Sequence, residues 1–384
     1  MCLSAVLLSR RINGLLSPLF DAELHQKTLL SLHNGVLGTL HAARAGITAI
    51  GEGLAVALGL ERKHAIKQVD RLLGNTHLDP QLLAPPWVGF VVGNRKQILV
   101  ALDWTEFPKD DHSTLCLSVV NSSGRATPVL WQTVQKSALC FARNAMEDTL
   151  LERLCAALPD GVHVTVLCDR GFGDQALYQF LRALGMDFII RFRQDILVTD
   201  PHGTSLPAID WVPKNGRARA LVPAYVAADK TPVAQVVLKW AKHAQQAWCL
   251  ATSRADLSAA EVVNDYARRF TIEERFRDTK DWRFGLGMSA SRTTLPERRD
   301  RLLLLCALCI MLLHVLGAAG ESIGLLRSMQ GNSRKKREHS FFRQGLYYYQ
   351  ALGTMKPDRA AALLARFDEL LRQHPLSAQL LALL

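Results

Sequence analysis

Two apolar runs of this 384-residue chain end in an aspartate: Gln97-Ile-Leu-Val-Ala-Leu-Asp103 and His163-Val-Thr-Val-Leu-Cys-Asp169. A carboxylate at the end of a buried strand is poorly solvated and, beside a second one, repelled; a bound cation offsets both effects. Neighbouring strands lie about 5 Å apart, so two such carboxylates reach one divalent ion. A third acid follows in Tyr266-Ala-Arg-Arg-Phe-Thr-Ile-Glu273-Glu-Arg-Phe-Arg-Asp-Thr-Lys280. On a continuous α-helix Tyr266, Arg269, Glu273 and Lys280 project within a stripe about 60° wide, over roughly four turns. One carboxylate flanked by two cations and a phenol suits a metal ligand beside bound phosphates. The alternative is a charged surface helix with its own salt bridges, the reading that suits Glu274, Arg275, Arg277 and Asp278.

These residues need a scaffold, and the sequence predicts one. The run from Gln97 is a strand. Thr114 to Val120 and Thr127 to Val134 are two more, parted by the turn Asn121-Ser122-Ser123-Gly124. Asn144 to Leu158 reads as an amphipathic helix, His163 to Cys168 as a strand, Asp174 to Leu184 as a helix and Asp187 to Phe192 as a strand. The order β-β-β-α-β-α-β predicts an α/β fold: an RNase H-like mixed five-stranded sheet flanked by helices. Residues from about 194 to 253, with Pro, Gly and Asn turns, read as a β-rich insertion. Helices follow from Ser258 to Lys280 and from about Pro296 to Ala318.

Three regions are expected: residues 1–88, helical; 89–320, the catalytic domain with its insertion; and 321–384, helical. In the first, breaks are expected near Gly35, Gly46, Gly59 and Gly74. Ile47 to Leu58, Gly59-Leu60, then Glu61 to Leu73 outline a helix-turn-helix. Its second helix carries Arg62, Lys63 and Lys67, cations suited to DNA phosphates; a helical bundle with a solvated charged face is the other reading. Pro85-Pro86-Trp87 reads as a linker.

The bulk composition agrees with a DNA partner without requiring one. The net charge is +11, against 49% hydrophobic and 21% charged residues, which describes a globular chain with a polyanionic partner. Eight scattered cysteines point to a reducing compartment, and Cys306-Ala-Leu-Cys309 reads as core packing. The N-terminus lacks the charge order of a secretory signal. Leu302 to Leu316 is interrupted by His314 and reads as a buried helix, not a membrane span. A cytoplasmic protein is expected.

The pattern Tyr-x2-Arg-x3-Glu-x6-Lys at Tyr266, Arg269, Glu273 and Lys280 resembles the signature of the insertion-sequence-four family of bacterial transposases. Asp103-Trp-Thr105 and Asp169-Arg-Gly-Phe172 are similar to its first two acidic motifs, and the likeness covers roughly residues 95 to 345. The resemblance implies a catalytic, metal-binding triad of Asp103, Asp169 and Glu273 holding Mg2+, with Mn2+ as a substitute. It implies phosphate contacts from Arg269 and Lys280, a DNA-positioning role for Tyr266, and cut-and-paste phosphoryl transfer at terminal inverted repeats and target DNA. A homodimer in the DNA complex, and association with the nucleoid when DNA-bound, belong to the same picture. In this family an extruded base often stacks on aromatics; Trp211, Trp240 and Trp248 lie in the insertion, at least two of them expected in the core. The cluster Arg334 to Arg337 is either a backbone contact or a solvated charge run, and the C-terminal helices either pair subunits or pack on the catalytic domain. A nuclease without strand transfer and a catalytically inactive, transposase-derived DNA-binding protein are the alternatives.

Overall fold

The computed structural model describes residues 3–121, 123–139, 142–240, 244–330 and 337–372. Five helices lead: α1 (Leu3–Phe20), α2 (Gln26–Ala42), α3 (Ile47–Leu58), α4 (Arg62–Gly74) and α5 (Ala84–Val92). The α3–α4 turn is set by Gly59, whose φ of 71° is left-handed and whose N–H donates back to the Ala55 carbonyl. Gly35 does not break the chain: it lies inside α2, packed under Leu72 and Leu305, where a larger residue would collide. Nor is Pro85-Pro86-Trp87 a linker. The two prolines sit in the first turn of α5, where a missing N–H costs no intrahelical bond. Trp87 is buried, its Nε1 donating to the Pro128 carbonyl at 2.8 Å.

The sheet then follows as β1 (Gln97–Phe107), β2 (His112–Val120) and β3 (Ala126–Gln135), α6 (Arg143–Ala157), β4 (His163–Cys168), α7 (Gln175–Ala183) and β5 (Asp187–Arg191). The region after it supplies β6 (Leu197–Thr199), β7 (Ser205–Pro207), β8 (Arg219–Leu221), β9 (Ala224–Val226), β10 (Thr231–Val233), β11 (Gln235–Lys239) and β12 (Trp248–Thr252). The main sheet runs β3-β2-β1-β4-β5-β12-β11-β8, with β1, β4 and β5 parallel and the other pairings antiparallel. The RNase H-like arrangement is therefore present, but the sheet has eight strands, not five. Three strands of the insertion extend it, because the edge of β5 is an open row of amides and carbonyls that β12 satisfies, with Leu250 opposite Arg191. The remaining strands form a separate four-stranded sheet, β10-β9-β6-β7.

The chain closes with α8 (Ala259–Ala267), a 3-10 turn at Arg268–Phe270, α9 (Thr271–Lys280), α10 (Pro296–Ser322), α11 (Phe341–Ala351) and α12 (Pro357–Arg372). α10 is 27 residues long and, among the described residues, the one helix long and apolar enough to cross a membrane. Its apolar positions are buried within the protein: it packs against α11, α12, α2 and β3, and Leu304, Leu305, Leu308 and Leu312 are almost wholly covered. Cys306 and Cys309 are part of this core, and burial pushes the Cys306 thiol up to about 12. Leu363, Leu364 and Phe367 of α12 are buried too, so this helix packs on its own chain. One apolar cluster joins the N-terminal helices, one sheet face and α10–α12; a smaller one on the other face includes Leu167, Val262, Tyr266 and Ile272. Of the basic cluster, Arg334, Lys335 and Lys336 lie outside the described residues, and Arg337 stacks over the Phe341 ring at 4.3 Å.

Candidate active site

Parallel pairing of β1 and β4 sets Leu102 opposite Cys168. The next residue of each, Asp103 and Asp169, therefore lies at the same level of adjacent central strands; Asp169 follows the end of β4 as its apolar run predicts, whereas Asp103 lies inside β1, which stays paired with β2 for four more residues to Phe107. Asp169 stops β4 by capping the turn that follows, its Oδ1 accepting from the Gly171 N–H at 2.7 Å. Asp103 accepts from the Trp104 N–H at 2.9 Å and, through Oδ2, from Arg269 Nη1 at 3.1 Å. The other Arg269 amino group donates to Glu273 Oε1 at 2.5 Å. One guanidinium thus bridges the first and third acids.

The electrostatics follow from this crowding. Burial pushes the Asp103 carboxyl up to about 6; Arg269 pulls it down, and Asp169 and Glu273 push it up further. Burial works against the Arg269 charge as well, yet Tyr266, Asp103 and Glu273 hold the guanidinium above its ordinary range. The two ends of the ion pair therefore differ: the cation gains from two carboxylates, Asp103 and Glu273, while the Asp103 carboxylate is opposed by two others. That is the signature of a site short of positive charge.

Three carboxylates supply the all-oxygen donor chemistry that hard divalent cations take, and the repulsion borne by Asp103 is what such a cation offsets. By chemistry the residues fit a metal. Among the described residues, however, no three acidic, His or Cys side chains gather tightly enough to form a finished cage. Arg269 stands between Asp103 and Glu273 in the arrangement seen, so closing the cage needs Glu273 to exchange partners.

The helical stripe is only partly as expected. The 3-10 turn at Arg268–Phe270 adds roughly 20° per residue over an α-helix, about 60° in all, between Tyr266 and Glu273. Tyr266 is accordingly turned into the core: it is 4% exposed and packs edge-on against Trp248 at 5.1 Å. Its hydroxyl supports Arg269 from behind. Lys280 reaches back to β1, its Nζ donating to Thr105 Oγ1 at 3.0 Å and the Glu106 carbonyl at 2.7 Å. Burial pulls its ammonium below its ordinary value. The Phe107 ring carries Lys280 at 4.9 Å and the buried Arg299 at 4.0 Å, and Arg299 pairs with Asp110.

Arg62, Lys63 and Lys67 lie on the exposed face of α4, away from its buried Ala65, Val69, Leu72 and Leu73. Arg62 pairs with Glu52 of α3. Of the insertion tryptophans, Trp211 is buried and donates to the Val198 carbonyl, Trp248 is half-buried on Tyr266, and Trp240 is exposed.

Glu147 is the site neighbour that the sequence reading passed over. It is buried on α6 and accepts from Trp104 Nε1 at 2.7 Å and Arg143 Nε at 3.1 Å. It thus fixes the residue beside Asp103. The signal was available: Glu147 sits three, four and seven residues before Leu150, Leu151 and Leu154, on the apolar face of its helix.

No curated protein matches the chain. Residues 95–312, more than half of its length and the whole of the sheet that carries Asp103, Asp169 and the helices bearing Arg269, Glu273 and Lys280, match the family model described as the transposase DDE domain, and the chain belongs to that family.

Proposed function

We propose that this protein is a transposase of the insertion-sequence-four type, using Asp103, Asp169 and Glu273 as its catalytic acids to cut and join DNA at the inverted repeats of an insertion sequence. Membership of the transposase DDE domain family carries the general assignment: phosphoryl transfer on DNA, by enzymes that generally use divalent metal ions. The observation that supports the specific triad is the placement of Asp103 and Asp169 at the same level of parallel neighbours, with Glu273 tied to Asp103 through one guanidinium.

Asp103, Asp169 and Glu273 would hold Mg2+, with Mn2+ as a substitute, which would supply Lewis acidity for an in-line displacement at phosphorus. The rigid strands hold Asp103 and Asp169 at fixed separation, and α9 brings Glu273 to them. Arg269, once it releases Glu273, presents its fork to phosphate oxygens, the geometry guanidinium favours. Lys280, anchored on Thr105 and the Glu106 carbonyl, holds a second phosphate two residues further along β1. Tyr266 and Glu147 keep Arg269 and Trp104 in place. The exposed cations Arg62, Lys63 and Lys67 of the 1–88 region contact DNA backbone outside the catalytic domain of 89–320. In the DNA complex two subunits pair, each engaging the transposon ends.

End cleavage tests the proposal. The purified protein is incubated with Mg2+ and a labelled duplex carrying the inverted repeat that flanks its gene, beside Glu273→Gln protein and a scrambled end. A cut at the repeat boundary, lost in the variant, is the expected result. Cutting without preference for the repeat would make the protein a nuclease; binding without cutting in any divalent metal would leave a DNA-binding relic.

A further inference from the structure

The row that begins with Asp103 and Asp169 continues onto the next strand. β4 and β5 pair in parallel with Cys168 opposite Ile190, so Arg191 stands beside Asp169 as Asp169 stands beside Asp103. Ala101, Leu167 and Ile189, two residues earlier on the three strands, share one apolar cluster. Side chains alternate along a strand, so Asp103, Asp169 and Arg191 all face that same side. The Tyr266 phenol on that side feels the charges of Arg269, Arg191 and Asp169.

A second guanidinium comes from Arg170, the residue after Asp169. It is exposed, and its Nη1 donates to Gln246 Oε1 at 2.7 Å. Arg191 Nη2 donates to the same oxygen at 3.4 Å and to the Ala247 carbonyl at 3.2 Å, while its Nε is buried without a partner. Gln246 belongs to the insertion, two residues before β12. The start of that strand is fixed: the Phe192 N–H donates to the Cys249 carbonyl at 2.9 Å, and Trp248 packs on Tyr266. Two guanidiniums from separate strand ends thus converge on one amide oxygen. Among the described residues neither makes an ion pair, whereas Arg269 makes two. A neutral acceptor sets the direction of a guanidinium without cancelling its charge; a carboxylate in its place would do both. The two cations repel each other, and an anion between them relieves that repulsion.

We infer that Gln246 is a positioning residue of the proposed site, holding Arg170 and Arg191 as a paired receptor for phosphate groups of the DNA strand that lies against Asp169. The inference rests on the transposase reading for its ligand, and goes beyond it by giving the insertion a part in the site. β12 joins the sheet beside β5, so the residue just ahead of it reaches the level of the acids from a segment remote from them in sequence.

The test is equilibrium binding in EDTA, read by fluorescence anisotropy at several salt concentrations, with a labelled duplex carrying the inverted repeat that flanks the gene. Gln246→Met keeps the length of the side chain and removes the acceptor. It is expected to weaken binding about fivefold, with the slope of log K against log salt unchanged because both cations remain. Gln246→Glu keeps the shape and adds a charge that holds both guanidiniums for itself. It is expected to weaken binding at least about tenfold and to lower the slope by about 1, while melting no lower than the wild type. Gln245→Glu, the same charge change one residue away, is expected to stay within about twofold of the wild type. Equal losses in Gln245→Glu and Gln246→Glu overturn the inference in favour of a general effect of charge. Unchanged binding in both Gln246 variants overturns it and leaves the transposase reading standing. A Gln246→Met protein that melts lower yet binds as the wild type does makes the residue structural and overturns it too. Failure of the wild type to bind the duplex overturns both readings.

Discussion

Asp103 gives the most demanding test of the electrostatic reading, because its charge is costly to the fold. Its carboxyl rises from an ordinary 3.8 to about 6, chiefly through burial, with Asp169 and Glu273 adding to the effect. At 18% exposure its side chain receives little solvent screening. Holding it ionised therefore costs about 3 kcal/mol relative to the unfolded chain. The sign follows from proton binding: the folded carboxyl holds its proton more tightly, so stability falls as pH rises from about 4 to about 6 and stays reduced above. Asp103→Asn keeps the shape and removes the charge. It is expected to be more stable than wild type at pH 8 by up to about 3 kcal/mol, or about 4 °C in Tm for a chain of this length. Near pH 4 and below, the two proteins should converge. Added Mg2+ should raise the Tm of the wild type and leave the variant nearly unmoved, since the ion selects the ionised carboxylate. Thermal unfolding across pH 4 to 8, with and without Mg2+, reads all three effects. An Asp103→Asn protein that melts at or below the wild type at pH 8, or a difference independent of pH, refutes the reasoning.

Three further outcomes can be checked on the same material. Lys280→Met should weaken DNA binding and reduce the slope of log K against log salt by about 1, one phosphate contact, as measured by titration at several ionic strengths. Glu147→Ala strands the Trp104 indole N–H and the Arg143 side chain that now bond to it; it should cost about 1–3 kcal/mol in denaturant unfolding, with Glu147→Gln recovering most of this. Lys63→Gln with Lys67→Gln should leave the Tm within about 1 °C, because both side chains are exposed, while lowering the salt slope by about 2 if α4 lies on DNA; an unchanged slope assigns that face to solvent.

The strands of the catalytic sheet were legible because each is an apolar run bounded by turn residues, and β4 begins and ends at the residues expected. The two aspartates were legible for the same reason: a charge that ends such a run is conspicuous. The extension of the sheet to eight strands was not. β8 is three residues long, and the pairing of β12 with β5 joins segments nearly sixty residues apart, so neither periodicity nor turn chemistry records it. Pro85 and Pro86 misled because the same two residues open a helix as readily as they form a linker. The stripe on the third element was read as one continuous helix. The 3-10 turn that rotates Tyr266 inward, onto Trp248, carries no proline or glycine to announce it.

That turn is also where the site's chemistry is decided. A continuous helix would set Tyr266, Arg269 and Glu273 on one outward stripe, all three competing for the same ligand. With the turn in place, the phenol supports Arg269 from the core and the guanidinium faces two acids. In the arrangement seen, Arg269 is the charge that offsets the crowding of Asp103 by Asp169 and Glu273. On the proposed function, a divalent cation held by the three carboxylates would take over that role, leaving the guanidinium for phosphate and Glu273 for the donor set. A single arginine placed in this way would couple assembly of the proposed metal site to the capture of DNA, without moving either strand that carries an aspartate.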